Sequence, residues 1–140
     1  MASGMYNRFK YDLMAGEIDL EDDALIKVML MNDSHSFTAT HNVIGDVDAN
    51  ELAAAGNYTT GGQALAGKAI TQGASTKWDA TDIEWASATF STWHAVIYDD
   101  THATDDLICS IDFGGEKVVS AGTFKIQWHV NGIVTLATAA

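Results

Sequence analysis

The hydrophobic and polar positions of this chain predict one short helix followed by many strands. Near the start, Tyr6, Phe9 and Leu13 recur at helical spacing, and Gly16 is suited to end the helix. We therefore predict an N-terminal helical arm over about residues 4–16. The next apolar segment, ALIKVMLMN (24–32), is interrupted only by Lys27, which indicates a strand in the middle of a sheet.

Short strand-like segments separated by turn residues fill the chain from residue 64 onward. They are ALAGKAITQ (64–72), TKWDA (76–80), DIEWASAT (82–89), TWHAVIYDD (92–100), DLICSIDFG (106–114), EKVVSAG (116–122), TFKIQWHV (123–130) and GIVTLAT (132–138). Evenly spaced short strands are typical of sandwiches and barrels. We predict one all-β domain over residues 1–140, an antiparallel β-sandwich of jelly-roll-like form. Asp48 as N-cap, Glu51 as capping-box partner and Gly56 as stop add a short helical turn near 48–55.

The Asn131–Gly132 pair predicts a type I′ hairpin between the last two segments, because that turn needs positive φ at both positions. Strand alternation then places Phe124, Ile126, Trp128 and Val130 on the core face. The opposite face carries Lys125, Gln127 and His129, which we take as a candidate interface.

Two Trp–His pairs, at 93–94 and 128–129, raise the question of a catalytic or binding site. Neighbouring residues of a strand point to opposite sides, so a site would need His94 and His129 to meet across strands. No carboxylate stands at an obvious orienting position, and a surface or interface role is favoured. Cys109 lies inside a strand-like segment, where a small buried side chain is the norm. We expect no catalytic residues and no enzyme activity.

The sequence offers no convincing metal or cofactor site. The histidines (His35, His41, His94, His102 and His129) show no short-range pairing of the kind that zinc sites use. DVDANE (46–51) begins like a calcium-binding loop, but Glu51 stands where glycine is required. DDTHATDD (99–106) is better explained as a solvated hairpin loop, and the spacing of TTGGQALAGK does not fit a phosphate-binding loop.

Composition limits the partners. The chain has 140 residues, 47% of them hydrophobic and 19% charged, which is typical of a folded globular protein. Nineteen acidic against seven basic residues give a net charge of −12, which argues against nucleic-acid or anionic-membrane partners. Neither a secretory signal nor a transmembrane segment is expected.

Several stretches together resemble a family of cement (decoration) proteins of tailed-bacteriophage capsids. They are Phe9–Lys10, Gly16 to Leu20, Ile26 to Leu30, Tyr58 to Lys68, Ala95 to Tyr98 and Phe124 to Leu136. The resemblance spans nearly the whole chain, with 31–55 the least similar region. It implies a β-sandwich, often a homodimer, made in the host cytoplasm. The protein would bind the major capsid protein on the head exterior and bridge neighbouring subunits. It implies no catalytic residues.

Three alternatives stay open at this point. Trp78 and Trp85 flank a turn and would suit a sugar-stacking platform, as in a carbohydrate-binding or head-fibre module. A neck or tail component would fit the same fold, and a hydrolase of unrecognised type is a further option. The arm residues Tyr6, Phe9 and Leu13 are a candidate capsid contact, and the competing explanation is a helix that caps the sandwich.

Overall fold

The computed structural model describes residues 3–101 and 103–139, and it confirms an all-β fold with two antiparallel sheets. The strands are β1 Gly4–Met5, β2 Ile26–Met31, β3 Gln63–Ala64, β4 Ala69–Thr71, β5 Ser75–Asp79, β6 Ile83–Asp99, β7 Asp106–Ile126 and β8 Val134–Ala137. Helix α1 covers Asn7–Ala15, and 3-10 turns cover Ile44–Asp46 and Asp48–Asn50. The larger sheet has the order β1-β7-β6-β2-β3, and the smaller has the order β4-β5-β8.

The two longest strands, β6 and β7, form one long hairpin. The two strands pair from Ile83 opposite Ile126 to Asp99 opposite Asp106. The sequence predicted five separate strands here, because turn-forming residues interrupt the pattern. The predicted break at Gly115 lies inside β7, where Gly114 and Gly115 have positive φ and the pairing shifts register between Thr92 and His94. Irregularities of this kind bend a strand without ending it.

The predicted terminal hairpin is wrong. Strand β8 pairs with β5, not with β7, and the Ile133 amide donates to the Trp78 carbonyl at 2.7 Å. Of the Asn131–Gly132 pair, only Gly132 has positive φ, at 89°, so the type I′ geometry is absent. Val130, expected in the core, is 79% exposed.

The helical predictions are partly right. Helix α1 ends at Gly16, whose left-handed φ of 73° lets its amide bond back to the last turn, as the sequence indicated. Residues 4–5 of the predicted arm are a strand, β1, paired with β7. The helical turn near 48–55 is shorter than predicted, a 3-10 turn over Asp48–Asn50. Glu51 does not close a capping box, because its carboxylate accepts from the Tyr58 hydroxyl and the Gly61 amide, each at 2.6 Å.

The five-stranded sheet buries both of its faces, which explains why β2 is apolar on both sides apart from Lys27. On one face, Val28, Leu30 and Ile97 pack against α1 and the small sheet. On the other, Met29, Met31 and Val96 lie beneath the long connection that follows β2. The two layers of the sandwich therefore enclose the first face only, and an irregular segment covers the second.

Candidate interaction surface

The structure divides the candidate residues of the N-terminal arm. Tyr6 and Phe9 are fully buried. They therefore belong to the core and are not available as contacts for a partner, contrary to the prediction. Leu13, one turn further along α1, is only partly buried against the same core. The helix is therefore packed on the body, as the cap explanation required, and its far end alone reaches the surface.

Beside Leu13, the inner face of the small sheet extends beyond the core that it covers. Strand register places Trp78 opposite both Ile70 and Val134, and Thr76 opposite Leu136. Because these residues share one face of the sheet, the same side that buries Trp78 and Val134 continues outward to Leu136. Nothing in the described chain covers this continuation, so an apolar face meets solvent.

The result is an apolar groove between α1 and the small sheet. Two adjoining cavities of ≈ 140 Å³ and ≈ 200 Å³ share Leu13, Val134 and Leu136 as walls. Met14 is 92% exposed, Leu136 62% and Ile70 43%. Single exposed apolar residues are normal, but contiguous ones around a concave surface mark interaction sites. The groove is defined here by Leu13, Met14, Ile70, Val134 and Leu136.

Charged groups of both signs lie near the groove. Lys10 lies in the wall on the α1 side, whereas the Lys77 side chain alternates with Thr76 and Trp78 along β5 and points to the opposite face of the small sheet. The Lys10 ammonium donates to the side-chain oxygen of Asn7, and that of Lys77 to the Val130 carbonyl. Within residues 3–101 and 103–139, neither ammonium forms an ion pair. Glu21 lies beside the groove, where its carboxylate accepts from the Ile70 amide at 3.1 Å.

The second set of predicted interface residues is exposed but does not form a strand face. Lys125 lies at the end of β7 and pairs with Asp82 at 3.4 Å. Gln127 and His129 follow the strand, and His129 accepts the Asn131 amide through Nδ1 at 3.1 Å. The alternation that placed Phe124, Ile126 and Trp128 toward the core is confirmed.

The two Trp–His pairs do not make a joint site. His94 is buried opposite Asp112, whereas His129 follows the far end of the hairpin, beyond Ile126 and its partner Ile83. At ~3.3 Å per residue, the eleven residue-to-residue steps from Ile83 to His94 correspond to roughly 35 Å of strand. The carboxylate that sequence reasoning did not find is Asp112, 3.8 Å from His94 Nδ1.

The second face of the large sheet holds a buried histidine cluster, defined by His35, His94 and Ser110. The rings of His35 and His94 meet edge to face with centroids 5.1 Å apart. His35 Nε2 lies 2.9 Å from the Ser110 hydroxyl. Burial, with His94 and His41 nearby, lowers the pKa of His35 to about 4. His35 and Ser110 are each 2% exposed, so this Ser–His pair is held away from solvent.

His35 was missed from sequence because it lies in an irregular segment with no pattern around it. The Asn7 amide bonds the Ala39 carbonyl at 2.9 Å, and Tyr6 packs on Phe37, which holds this segment against the sheet. The Tyr6 hydroxyl also faces Ser110, and burial raises the pKa of Tyr6 to about 12.

The proposed sugar platform is contradicted. Trp78 and Trp85 are each 2% exposed, and the Trp78 indole donates to the Leu20 carbonyl at 3.0 Å. Two buried rings present no face to a sugar, and both tryptophans are core residues.

The loops considered as cation sites use their carboxylates internally. Asp46 accepts the Asn42 and Val43 amides and so closes a turn. In the hairpin loop, Asp106 accepts from Arg8 at 3.1 Å and from Thr104 at 2.6 Å. His102 lies outside the described residues. Among those that are described, no three His, Cys, Asp or Glu side chains are grouped to hold a metal. In the same ranges, no helix combines the length and apolar character that a membrane span needs.

No family model matches this chain, and no curated protein or solved structure is significantly similar to it.

Proposed function

We propose that this chain is a structural virion protein that binds the outer surface of an icosahedral phage head. In this role it bridges neighbouring subunits of the major capsid protein and stabilises the shell. The observation that carries the proposal is the apolar groove beside α1, which offers a binding face on a molecule with a net charge of −12. The sequence resemblance to capsid cement proteins supplies the identity of the partner.

The architecture suits this role in physical terms. A cement protein needs a rigid body and an exposed docking surface, and many copies of a modest interface sum to a large stabilisation of the shell. The double-sided core of the large sheet supplies the body. The proposal includes the homodimer and the synthesis in the host cytoplasm that the resemblance implies, and light scattering of the purified chain tests the dimer.

Head binding tests the function. Heads are purified from a phage that lacks the gene for this chain, and the purified chain is added at increasing concentration. We expect saturable co-sedimentation and a higher temperature for DNA release from the decorated heads. Absence of saturable binding would contradict the proposal. Bovine serum albumin at equal concentration controls for nonspecific trapping.

A further inference from the structure

We propose that His35 is an acid-sensitive latch, whose protonation releases residues 33–41 from the second face of the large sheet while the rest of the fold stays intact. This inference goes beyond the proposed function and does not depend on it. Residues 33–41, here called the cover segment, contain neither a helix nor a strand.

The cover segment has few attachments to the body of the protein. In the described ranges, one backbone hydrogen bond ties it to another element, from the Asn7 amide to the Ala39 carbonyl at 2.9 Å. Its Phe37 ring packs on Tyr6, with ring centroids 5.1 Å apart. Of residues 33–41 only His35 is fully buried, where it bonds the Ser110 hydroxyl of β7. A segment held by so few contacts opens more readily than the whole fold, and His35 is its main anchor.

A positive charge on His35 would have no compensating partner in the closed state. The titratable groups that bear on His35 are His94 on β6, with ring centroids 5.1 Å apart, and His41 on the cover segment itself. Both histidines would add positive charge in acid. Asp112 on β7 faces His94 instead, 3.8 Å from its Nδ1, and the Tyr6 hydroxyl before α1 is uncharged. Burial of an unpaired charge is costly, so protonation of His35 favours a state in which its ring reaches water.

Water already borders this histidine cluster on one side. An open cavity of ≈ 460 Å³ is lined by Asp33, His94 and Asp112, so the cluster lies close to solvent. Burial lowers the pKa of His35 to about 4 in the closed state, and the ordinary value of 6.5 returns when the ring is hydrated. Opening of the cover segment therefore takes up a proton, and it becomes more favourable as the pH falls from 6.5 toward 4.

Two neighbouring amides test the latch within one molecule. The Asn7 amide donates to Ala39 of the cover segment, whereas the Tyr6 amide donates to the Ile108 carbonyl of β7 at 3.0 Å. Hydrogen exchange of both amides is followed by NMR at pH 7, 6 and 5, and each rate is divided by the intrinsic rate of that amide at the same pH. The variant His35→Gln keeps a side chain that can form hydrogen bonds but has no titrating ring, and the exposed His129→Gln is its matched control.

In the wild-type chain, the corrected exchange rate of Asn7 relative to that of Tyr6 should rise roughly tenfold or more between pH 7 and pH 5. The same rise is expected in His129→Gln, whereas the ratio should stay nearly constant in His35→Gln. A wild-type ratio that does not change with pH would overturn the latch, whether or not His35→Gln folds. A rise that persists unchanged in His35→Gln would overturn the role of His35.

Discussion

The two faces of the large sheet are both buried, but they are covered in different ways. One packs against regular elements, α1 and the small sheet, and its core is aromatic and aliphatic. The other lies beneath an irregular segment and encloses polar groups, including His35, His94 and Thr92. The second face should respond to protons through His35, and the first through Asp99, which lies opposite Ile26 and responds in the opposite direction. Next to the core on the first face, the inner side of the small sheet and the end of α1 remain exposed, and these exposed residues form the groove.

The largest effect is expected from Trp78→Ala on the apolar face. Trp78 fills the space between the sheets and is 2% exposed. Its removal leaves a cavity and an unpaired Leu20 carbonyl, so the free energy of unfolding should fall by about 3–5 kcal/mol. Urea unfolding measures the loss. Trp93→Ala is the matched control, because Trp93 is only partly buried. An equal loss in both variants would contradict the account of this core.

Acidification should act on the other face. The pKa of His35 is about 4 in the folded chain and about 6.5 when unfolded, so the unfolded chain takes up the proton first. The contribution of neutral His35 to the free energy of unfolding is fully present above pH 6.5. It is lost as the pH falls toward 4, by up to about 3 kcal/mol. Urea unfolding at several pH values measures this dependence.

The variant His35→Gln separates the effect of that group from the effects of carboxylates that titrate elsewhere in the chain. Asp99 acts in the opposite direction, because burial and Asp23 raise its pKa to about 6, so its contribution is lost as the pH rises. Relative to wild type, His35→Gln should show a weaker loss of stability between pH 6.5 and 4. The exposed His129→Gln should follow wild type. Identical profiles for all three chains would show that the buried face does not sense protons through His35.

A smaller effect is expected from Ser110→Ala. The Ser110 hydroxyl is the partner of His35 Nε2 at 2.9 Å, and its removal leaves a buried ring nitrogen unpaired. An unpaired buried polar group costs about 1–3 kcal/mol. Denaturation at pH 7.5, where His35 is neutral, measures this cost. Ser120→Ala, at an exposed position of the same strand, should unfold as wild type does, and a similar loss there would refute the assignment.

The smallest effect is expected where the apolar face is uncovered. Leu136→Asp changes a side chain that is 62% exposed, so the free energy of unfolding should change by no more than about 0.5 kcal/mol. Thermal unfolding beside Val118→Asp measures it. A loss above about 2 kcal/mol would mean that Leu136 belongs to the core and that the groove is not free for a partner.

The parts of the fold that follow local rules were predictable. The apolar run of β2, the Gly16 stop of α1 and the alternation of Phe124 and Ile126 require only neighbouring residues. The same reasoning divided β6 and β7 into short strands, because a glycine or serine inside a bulge has the same local signature as one in a turn. The long hairpin follows from pairing between the two strands, which no local pattern records.

The apolar groove could not be predicted from the sequence, because it is formed by strands that are far apart along the chain. Strand β8 pairs with β5, and the Ile133 amide donates to the Trp78 carbonyl just before that strand begins. The Asn131–Gly132 pair had instead predicted that β8 pairs with the segment directly before it. The pairing of β8 with β5 is what places Leu136 opposite α1 and creates the groove, of which Leu13 alone was predicted. The Trp78 platform failed for the same reason, because its burial depends on a strand far along the chain.

Cryo-electron microscopy of the virus particle would show whether this chain lies on the capsid. If the proposed function is right, we expect density for this fold on the outside of the head, with the groove of Leu13 and Leu136 facing a capsid subunit. A head exterior without this chain, or density for it confined to the neck or tail, would contradict the proposed function.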